Sequence, residues 1–484
     1  MSGPGHRSMP GATALREGAA SPDALADHRF AWRWLIPVDG AASLHAVGLS
    51  QADAAYLARE LALPLVGPSS AEASVCVVDA DAAGPPGARQ DGVARARVVC
   101  VFGRGSSVER WRRVVSRRKG LIRPYALLPA GAPRLVVPLG RAAHVDLALA
   151  MHRPGRLLAR LAVDVARRLA QLGLTAPLRR STLLIAVRGA ATPLGAERCA
   201  LSRHLPGNER GDHALYIGSP GEERKTVVLP LGDGAPEAIV KIAATPPAVA
   251  SLRREVETVR ALGGTRLAPY LPGCLAVEEG RELLAVYQRY RARRWTPSFV
   301  VSEAAVDFLV GLSAIRRGQH DLGEEVERLG RLGSAAAPGW PRLAAALRAR
   351  AAAGVVLWRH QSHGDFAPWN CAWTRSGLVV YDWEAAIEED IAFSDAFHFH
   401  LAPARLIGTR RRPEALIRSG LAFAGRVAAA ADLSRTDLPA HLACWLMVRQ
   451  AARPDPFHAT LVEVLSSMMT PGGPLAAARV ERAT

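Results

Sequence analysis

The chain has 484 residues, of which 49% are hydrophobic, and this content excludes an intrinsically disordered protein. The length is sufficient for two or three domains that each bury a core. The formal net charge of +17 is spread along the chain and comes almost entirely from arginine, because lysine occurs only at Lys119, Lys225 and Lys241. Without a clustered basic surface, the charge argues against a dedicated nucleic-acid function.

The sequence also argues against a membrane span, a secreted protein and a cysteine-based site. No uninterrupted apolar run approaches the roughly 18 residues that a membrane span requires, and the amino terminus lacks the apolar centre of a signal peptide. The six cysteines are scattered singly, without a CxxC pair or a His/Cys cluster at metal spacing. We therefore expect a cytoplasmic protein without a disulfide scaffold or a structural zinc.

The amino-terminal part predicts a tail followed by a small α/β domain of unknown role. Residues 1–30 are rich in Gly, Pro, Ser and Ala and predict a flexible tail. In 31–180, strand patterns alternate with helical ones, and the proline-rich stretch 119–138 predicts an ordered loop. Gly103 and Gly105 follow a strand but lack the rest of a dinucleotide fingerprint, which favours a plain turn. The predicted strands are 71–80, 94–102 and 134–140, and the helices are 51–63, 106–116 and two within 145–174.

The segment 181–290 predicts a β-rich lobe. Three short apolar runs separated by Gly- and Pro-containing turns are typical of an antiparallel meander. A helical pattern follows, and then one more strand. The predicted strands are 213–217, 226–231, 237–243 and 283–287, and the helix is 249–262.

From residue 291 to 484 the pattern is mainly helical. The exception is a loop and strand region with the sequence HGDFAPWN at 363–370 and VVYDWE at 379–384. The predicted helices are 304–315, 341–352, 414–431 and 438–451.

This loop and strand region contains two carboxylates and an amide at a distinctive spacing. Asp365 stands five residues before Asn370, and Asp382 follows a β-rich run. Such transfer needs one carboxylate to orient the acceptor and accept its proton, and oxygen ligands that hold Mg²⁺ on the nucleotide phosphates. Asp365 is the candidate catalytic residue, and Asn370 and Asp382 are the candidate metal ligands. The structural alternatives are an Asp that caps a turn and an ordinary surface Asn and Asp.

The motif His-Gly-Asp-x-x-x-x-Asn followed by Tyr-Asp-Trp-Glu resembles the aminoglycoside phosphotransferase and choline kinase-like family. The resemblance covers about residues 190–484 and leaves 1–185 outside. It implies an α+β, bilobal protein-kinase-like fold, with a small β-rich lobe at 181–290 and a large helical lobe at 291–484. The small α/β domain at 31–180 would precede both lobes.

The β-rich lobe offers a candidate nucleotide-binding set. Lys241 lies in an apolar strand, where a buried ammonium needs carboxylate or phosphate partners. Glu255 on the next helix is the better partner than Glu257, because the resemblance places it on the packed face. Gly218 and Gly221 would let the first hairpin approach the phosphates. The alternatives are an outward-pointing edge lysine, a solvated Glu and an ordinary tight turn.

Two further residues are predicted to support the structure. His363 opens the loop and is expected to orient the backbone near Asp382, and Asp395 matches the start of the family's next helix. No Lys or Arg occurs between Arg375 and Arg405, whereas six acidic residues do, and such an acidic segment would attract cationic acceptors such as amines or amino sugars. The alternative is a metal-facing loop followed by a helix start.

The sequence therefore predicts an enzyme that uses ATP or GTP with Mg²⁺ to phosphorylate a hydroxyl of a small molecule such as an amino sugar, sugar or amino alcohol. The expected partners are the nucleotide and this acceptor. The alternative is a non-catalytic nucleotide-binding or scaffold protein with the same fold.

Overall fold

Seventeen strands and twelve helices make up the described part of the chain in the computed structural model. The described residues are 29–38, 41–67, 74–86, 93, 95–117, 120–129, 133–151, 157–188, 212–218, 221–232, 236, 238–280, 283–290, 301–332, 337–374, 377–409, 411–433 and 436–476. The predicted tail at 1–30 lies outside them except for its last two residues. The strands are β1 (Leu44–Val47), β2 (Leu65–Val66), β3 (Val75–Asp79), β4 (Val98–Arg104), β5 (Gly120–Leu128), β6 (Leu135–Pro138), β7 (Ser181–Arg188), β8 (Asp212–Ile217), β9 (Lys225–Leu231), β10 (Ala238–Ala243), β11 (Cys274–Glu279), β12 (Leu284–Arg289), β13 (Arg317–Asp321), β14 (Val356–Ser362), β15 (Cys371–Thr374), β16 (Gly377–Val380) and β17 (Ile387–Ile391). The helices are α1 (Gln51–Leu61), α2 (Gly105–Ser116), α3 (Ala142–Met151), α4 (Leu157–Gln171), α5 (Pro246–Leu262), α6 (Glu303–Ser313), α7 (Leu322–Leu332), α8 (Trp340–Ala352), α9 (Ser394–Ile407), α10 (Pro413–Ala430), α11 (Leu438–Ala452) and α12 (Pro456–Met469).

The first twelve strands form one sheet, in the order β11-β12-β10-β9-β8-β6-β5-β7-β4-β3-β1-β2. At one end, β2, β1, β3 and β4 are parallel, as the predicted α/β alternation requires. At the other end, β8 to β12 pair antiparallel, as predicted for the meander. Two remaining sheets, β13-β14-β17 and β15-β16, lie in the carboxyl-terminal half.

The prediction of an ordered loop at 119–138 is wrong. Most of this segment forms β5 and β6, and β5 lies between β6 and β7. Pro124 lacks a backbone N–H, yet it occupies a strand position opposite Leu184, and its carbonyl accepts the N–H of Leu139. Pro124 and Pro138 are therefore compatible with strand structure in this segment.

The sheet is continuous across the expected domain boundary at 180/181. β7 begins at this boundary and pairs with β4 and β5, which precede it. β6 then pairs with β8 through Leu135 opposite Tyr216 and Val136 opposite Leu215. One hydrophobic cluster follows the same face of the sheet along its length, and its members include Phe30, Trp32, Tyr125, Val136, Leu215, Val240 and Tyr287.

Local signals explain where α5, the helix that contributes to the site, begins. Thr245 is its N-cap, and the Oγ1 of Thr245 accepts the N–H of Ala248. Pro246 follows at the first helical position, where a missing N–H costs nothing. Val256, Val259 and Leu262 face the core from this helix, which fixes the side that Glu255 shares.

The carboxyl-terminal half is mainly helical, as predicted, and has its own core. Large side chains from α6, α9, α10, α11 and α12 pack together with Phe366, which follows Asp365, and Trp383, which follows Asp382. The Phe308 ring contacts the rings of Phe366, Tyr270 and Trp383, at 5.1, 5.5 and 5.8 Å between centroids. The residues next to Asp365 and Asp382 are thus anchored by apolar packing.

The predicted α+β class is confirmed, and the β-rich and helical parts occur in the predicted order. Within the described part of the chain, every helix falls short of the length or apolarity that crossing a bilayer requires.

Candidate active site

Lys241 is buried between the sheet and helix α5. It lies in the middle of β10, opposite Val227 of β9 and Val286 of β12, and is 4% exposed. Its Nζ donates to both carboxylate oxygens of Glu255, at 2.7 and 3.0 Å, and Glu255 is fully buried. The two opposite charges therefore form an ion pair between two buried side chains.

Glu255 has a second hydrogen-bond donor. The Nε2 of Gln288, on β12, donates to its Oε1 at 2.8 Å, and Gln288 is itself buried. Glu257, the alternative considered from the sequence, is exposed. The structure thus brings together Lys241 and Glu255, and adds a glutamine that sequence patterns did not indicate.

Lys241 also contacts the second half of the motif, because its Nζ donates to Oδ1 of Asp382. Asp382 adopts a left-handed backbone conformation, with φ 63° and ψ 58°, that Asp tolerates better than most residues. Burial opposes ionisation of Asp382, but the Lys241 ammonium outweighs it and holds the pKa of this carboxyl below its ordinary value. Burial likewise lowers the pKa of Lys241, and the carboxylates of Asp382 and Glu255 raise it above its ordinary value.

A short hairpin places Asn370 beside Asp382. Cys371 of β15 pairs with Val380 of β16, and the N–H of Tyr381 donates to the carbonyl of Asn370 at 2.9 Å. The chain leaves this hairpin toward Asp365 on one side and Asp382 on the other. The 12-residue interval between Asn370 and Asp382 in the sequence is therefore the length of one hairpin.

Asp365 accepts hydrogen bonds at both carboxylate oxygens. The Nδ2 of Asn370 donates to Oδ2 and to the backbone carbonyl of Asp365, both at 2.9 Å. On the other side, Nε2 of His398 lies 2.8 Å from Oδ1. The Asp365 side chain is still 42% exposed, so a hydroxyl can reach it.

Asp395 and His363 fix the backbone of the loop that contains Asp365. The carboxylate of Asp395 accepts the N–H of His363 at 2.7 Å and of Gly364 at 3.0 Å. Burial raises the pKa of Asp395 to about 7, although the two N–H donors act in the opposite direction. His363 Nδ1 accepts the N–H of Asp365, and its Nε2 donates to the carbonyl of Tyr381 at 2.9 Å. Burial lowers the pKa of His363, as this neutral tautomer requires.

The glycine turn lies at the end of the β8–β9 hairpin. The N–H of Gly218 donates to the carbonyl of Lys225 at 3.1 Å, and Gly221 has a φ of +151°, which favours glycine. Residues 219 and 220 lie outside the described part of the chain. Among the described residues, a Cβ at Gly218 would meet Lys225 and Arg224, and one at Gly221 would have open space, so neither glycine lies against Lys241, Asp365 or Asp382.

A second lysine reaches the motif from this hairpin. Lys225 lies opposite Ala243, two positions from the partner of Lys241, and so shares its face of the sheet. Its Nζ pairs with the carboxylate of Glu384, two residues after Asp382, and burial lowers the pKa of Lys225 to about 8. Both lysines that the structure describes therefore face the Asp-Trp-Glu segment.

Several acidic residues of the segment that favoured a cationic acceptor have partners within the chain. Besides Asp382, Glu384 and Asp395, Glu388 pairs with Arg316, and Asp390 accepts the hydroxyl of Ser362 at 2.8 Å. Glu388 and Glu389 nevertheless lie at exposed positions, so the preference for a cationic acceptor stays a prediction.

Asn370 and Asp382 could each supply an oxygen ligand to a metal. Because Nδ2 of Asn370 is committed to Asp365, the amide oxygen Oδ1 is directed elsewhere, and the Asp382 side chain is 45% exposed. Carboxylate and amide oxygens suit Mg²⁺, which binds through one or two such ligands together with phosphates and water. The described residues contain no cluster of three or more His, Cys, Asp or Glu that could hold a metal by itself.

Sequence reasoning missed three residues that contact the site, namely Lys225, Gln288 and His398. Lys225 carried one signal, because lysine is rare in this arginine-rich chain. Gln288 and His398 lie outside the motif, on elements that reach it only through the fold.

Comparisons with known proteins give matches in structure alone. No family model and no curated protein matches the sequence. The chain is similar in structure to ADP-bound aminoglycoside phosphotransferase APH(2'')-Ib, with 14% identity, a TM-score of 0.36 and coverage of 55% of this chain and 96% of that chain. It is also similar to a thermostable APH(4)-Ia mutant in a ternary complex with ADP and hygromycin B, with 14% identity, a TM-score of 0.35 and coverage of 56% and 95%.

A further match is choline kinase LicA from Streptococcus pneumoniae, with 12% identity, a TM-score of 0.31 and coverage of 51% of this chain and 89% of that chain. The chain is therefore similar to members of both groups that its motifs resemble. Because the TM-scores lie below 0.5, the function proposed below rests on the side-chain contacts.

Proposed function

We propose that the protein is a phosphotransferase that moves the γ-phosphate of ATP or GTP to a hydroxyl of a small molecule. The observation that carries this proposal is the position of Lys241, whose Nζ contacts both Glu255 and Asp382. A buried lysine that joins the β-rich part to the acidic loop of the helical part provides a cation where phosphates and a metal would meet.

The residues of the site would have separate roles toward the nucleotide and toward the acceptor. Lys241, oriented by Glu255, would bind nucleotide phosphates, and Asn370 and Asp382 would hold Mg²⁺. When bound, Mg²⁺ would neutralise charge on the phosphate oxygens. Both ligands are oxygen donors at the ends of the β15–β16 hairpin, so the residues present fit this ion.

Asp365 would act on the acceptor. Its exposed carboxylate would orient the acceptor hydroxyl and take its proton as the oxygen forms a bond to the γ-phosphorus. The bond from that phosphorus to the β–γ bridging oxygen breaks, and the nucleoside diphosphate leaves. Amino sugars, sugars and amino alcohols are the acceptor classes to screen.

The test combines turnover with binding on the full chain. Nucleoside diphosphate release and the mass of the acceptor are followed across a panel of hydroxylated compounds, with ATP or GTP and Mg²⁺. Asp365→Ala should abolish transfer and leave Mg²⁺-dependent nucleotide binding intact. Asp307→Ala, which removes an exposed carboxylate on α6, is the matched control and should transfer normally.

Turnover by Asp365→Ala equal to that of the wild type would refute the catalytic assignment. Nucleotide binding without transfer to any acceptor would instead favour a non-catalytic nucleotide-binding or scaffold protein.

A further inference from the structure

His398 contacts the candidate catalytic carboxylate from outside the sequence motif. Its Nε2 lies 2.8 Å from Oδ1 of Asp365, while Asn370 donates to Oδ2. A carboxylate oxygen only accepts, so Nε2 of His398 must carry the hydrogen. Both oxygens of Asp365 are therefore held by N–H donors on opposite sides.

Helix α9 connects His398 to the same loop at a second point. Asp395 and His398 are three residues apart on α9 and so lie on one face of the helix. Asp395 binds the backbone of the catalytic loop, and His398 binds its side chain. Helix α9 thus fixes the position of the Asp365 carboxylate relative to the backbone of its own loop.

Packing holds the His398 ring in place. Its side chain is 15% exposed, and its ring meets Trp445 of α11 edge to face at 6.3 Å between centroids. Arg449, on the same helix, lies over the Trp445 ring and donates to the carbonyl of Gly364 at 2.9 Å. The imidazole therefore has little freedom to turn away from Asp365.

We propose that His398 is a positioning residue that fixes the rotation of the Asp365 carboxylate toward the acceptor hydroxyl. This inference rests on the proposed phosphotransferase function. Each carboxylate oxygen has two lone pairs, so one N–H donor at each oxygen leaves a lone pair for the hydroxyl proton. Without His398, Asn370 alone would hold one oxygen, and the carboxylate could rotate about its last bond.

Two amide substitutions at His398 distinguish the effect of its hydrogen bond from the effect of its packing. In His398→Gln, the terminal amide nitrogen reaches about as far as Nε2 of histidine. In His398→Asn, the amide ends near the position of Nδ1 and falls short of Asp365. His398→Phe keeps a ring against Trp445 but has no donor. His400→Leu is the control, because His400 packs between Phe399 and Phe423 on the same helix.

The measurement is steady-state transfer to an acceptor that the wild type phosphorylates in the panel. We expect His398→Phe and His398→Asn to lower kcat about 10- to 100-fold with the KM for nucleotide within about twofold of the wild type, because misplacing a reacting group costs this much. His398→Gln should recover most of kcat, and His400→Leu should leave it unchanged.

The outcomes distinguish the two levels of the proposal. If wild-type transfer is abolished by Asp365→Ala but His398→Phe and His398→Asn keep full kcat, the positioning role is wrong and the phosphotransferase function stands. Equal losses in His398→Gln and His398→Asn would also overturn it, since packing would then explain both. If the wild type transfers to no acceptor, both proposals fail.

Discussion

The ion pair between Lys241 and Glu255 makes a quantitative prediction about stability. Lys241→Met keeps the length and apolar stem of the side chain but removes the ammonium. Glu255 is fully buried and would keep Gln288 as a hydrogen-bond donor but lose the ammonium. Breaking a buried pair by removing one partner costs about 3–5 kcal/mol, because the remaining charge stays buried without compensation.

The contact with Asp382 should add little to this loss. The Asp382 side chain is 45% exposed and can be solvated when the lysine is absent. We therefore expect Lys241→Met to lower the free energy of unfolding by about 3–4 kcal/mol, nearly all of it through Glu255.

A second substitution tests this reasoning. Glu255→Gln added to Lys241→Met removes the stranded charge and should restore about 2–3 kcal/mol, the part of the penalty that comes from the buried carboxylate. Arg254→Met, at an exposed position on the same helix, is the control and should stay within about 0.5 kcal/mol of the wild type.

The assay is urea unfolding of the full chain, followed by tryptophan fluorescence and circular dichroism. A single variant within 1 kcal/mol of the wild type, or a double variant no more stable than the single one, would refute the account of Glu255 as a buried charge held by Lys241.

Two further predictions concern the catalytic loop and the helical core. Gly364 has a φ of +80°, and a Cβ there would overlap the carbonyl of Ala385, so Gly364→Ala should abolish transfer and destabilise the chain by about 3 kcal/mol or more. Gly377→Ala, with φ +118° but open space around the new Cβ, should cost about 1–2 kcal/mol and keep activity; equal losses in urea unfolding would contradict the steric explanation. His441 accepts the N–H of Trp358 at 2.8 Å, and burial lowers the pKa of His441 to about 4. An unfolded histidine titrates near pH 6.5, so the free energy of unfolding should fall by about 1.4 kcal/mol per pH unit for this group as pH drops from 6.5 toward 4. His441→Gln should remove the contribution of this one proton to the pH dependence. Identical slopes in the wild type and His441→Gln would disprove the assignment.

Residues of the candidate site could be predicted from the sequence where their partners lie in the same loop or hairpin. Asp365, Asn370 and Asp382 could be predicted because one loop and one hairpin bring them together, so their spacing in the chain carries the geometry. Lys241 could be predicted because an ammonium in an apolar strand requires a partner. Their roles remain predictions until the variants are measured.

Other features depend on contacts between distant segments, which no local pattern encodes. His398 reaches Asp365 only because α9 packs against the loop. Gln288 of β12 contacts Glu255 of α5 although the two residues are 33 positions apart in the chain. The strand β5 was missed because Pro124 weakens the local strand signal, whereas its pairing with β7 decides the structure.

The pairing of β6 with β8 means that the amino-terminal part cannot be removed as an independent unit. β8 leads into the glycine turn, and β6 covers the edge that it would otherwise present to solvent. A chain shortened to begin at residue 181 would expose the β8 edge, strip β7 of both neighbouring strands and uncover part of a shared core. Such a fragment is expected to aggregate, so the contribution of residues 1–180 is better measured by point substitutions at the β6–β8 seam than by truncation.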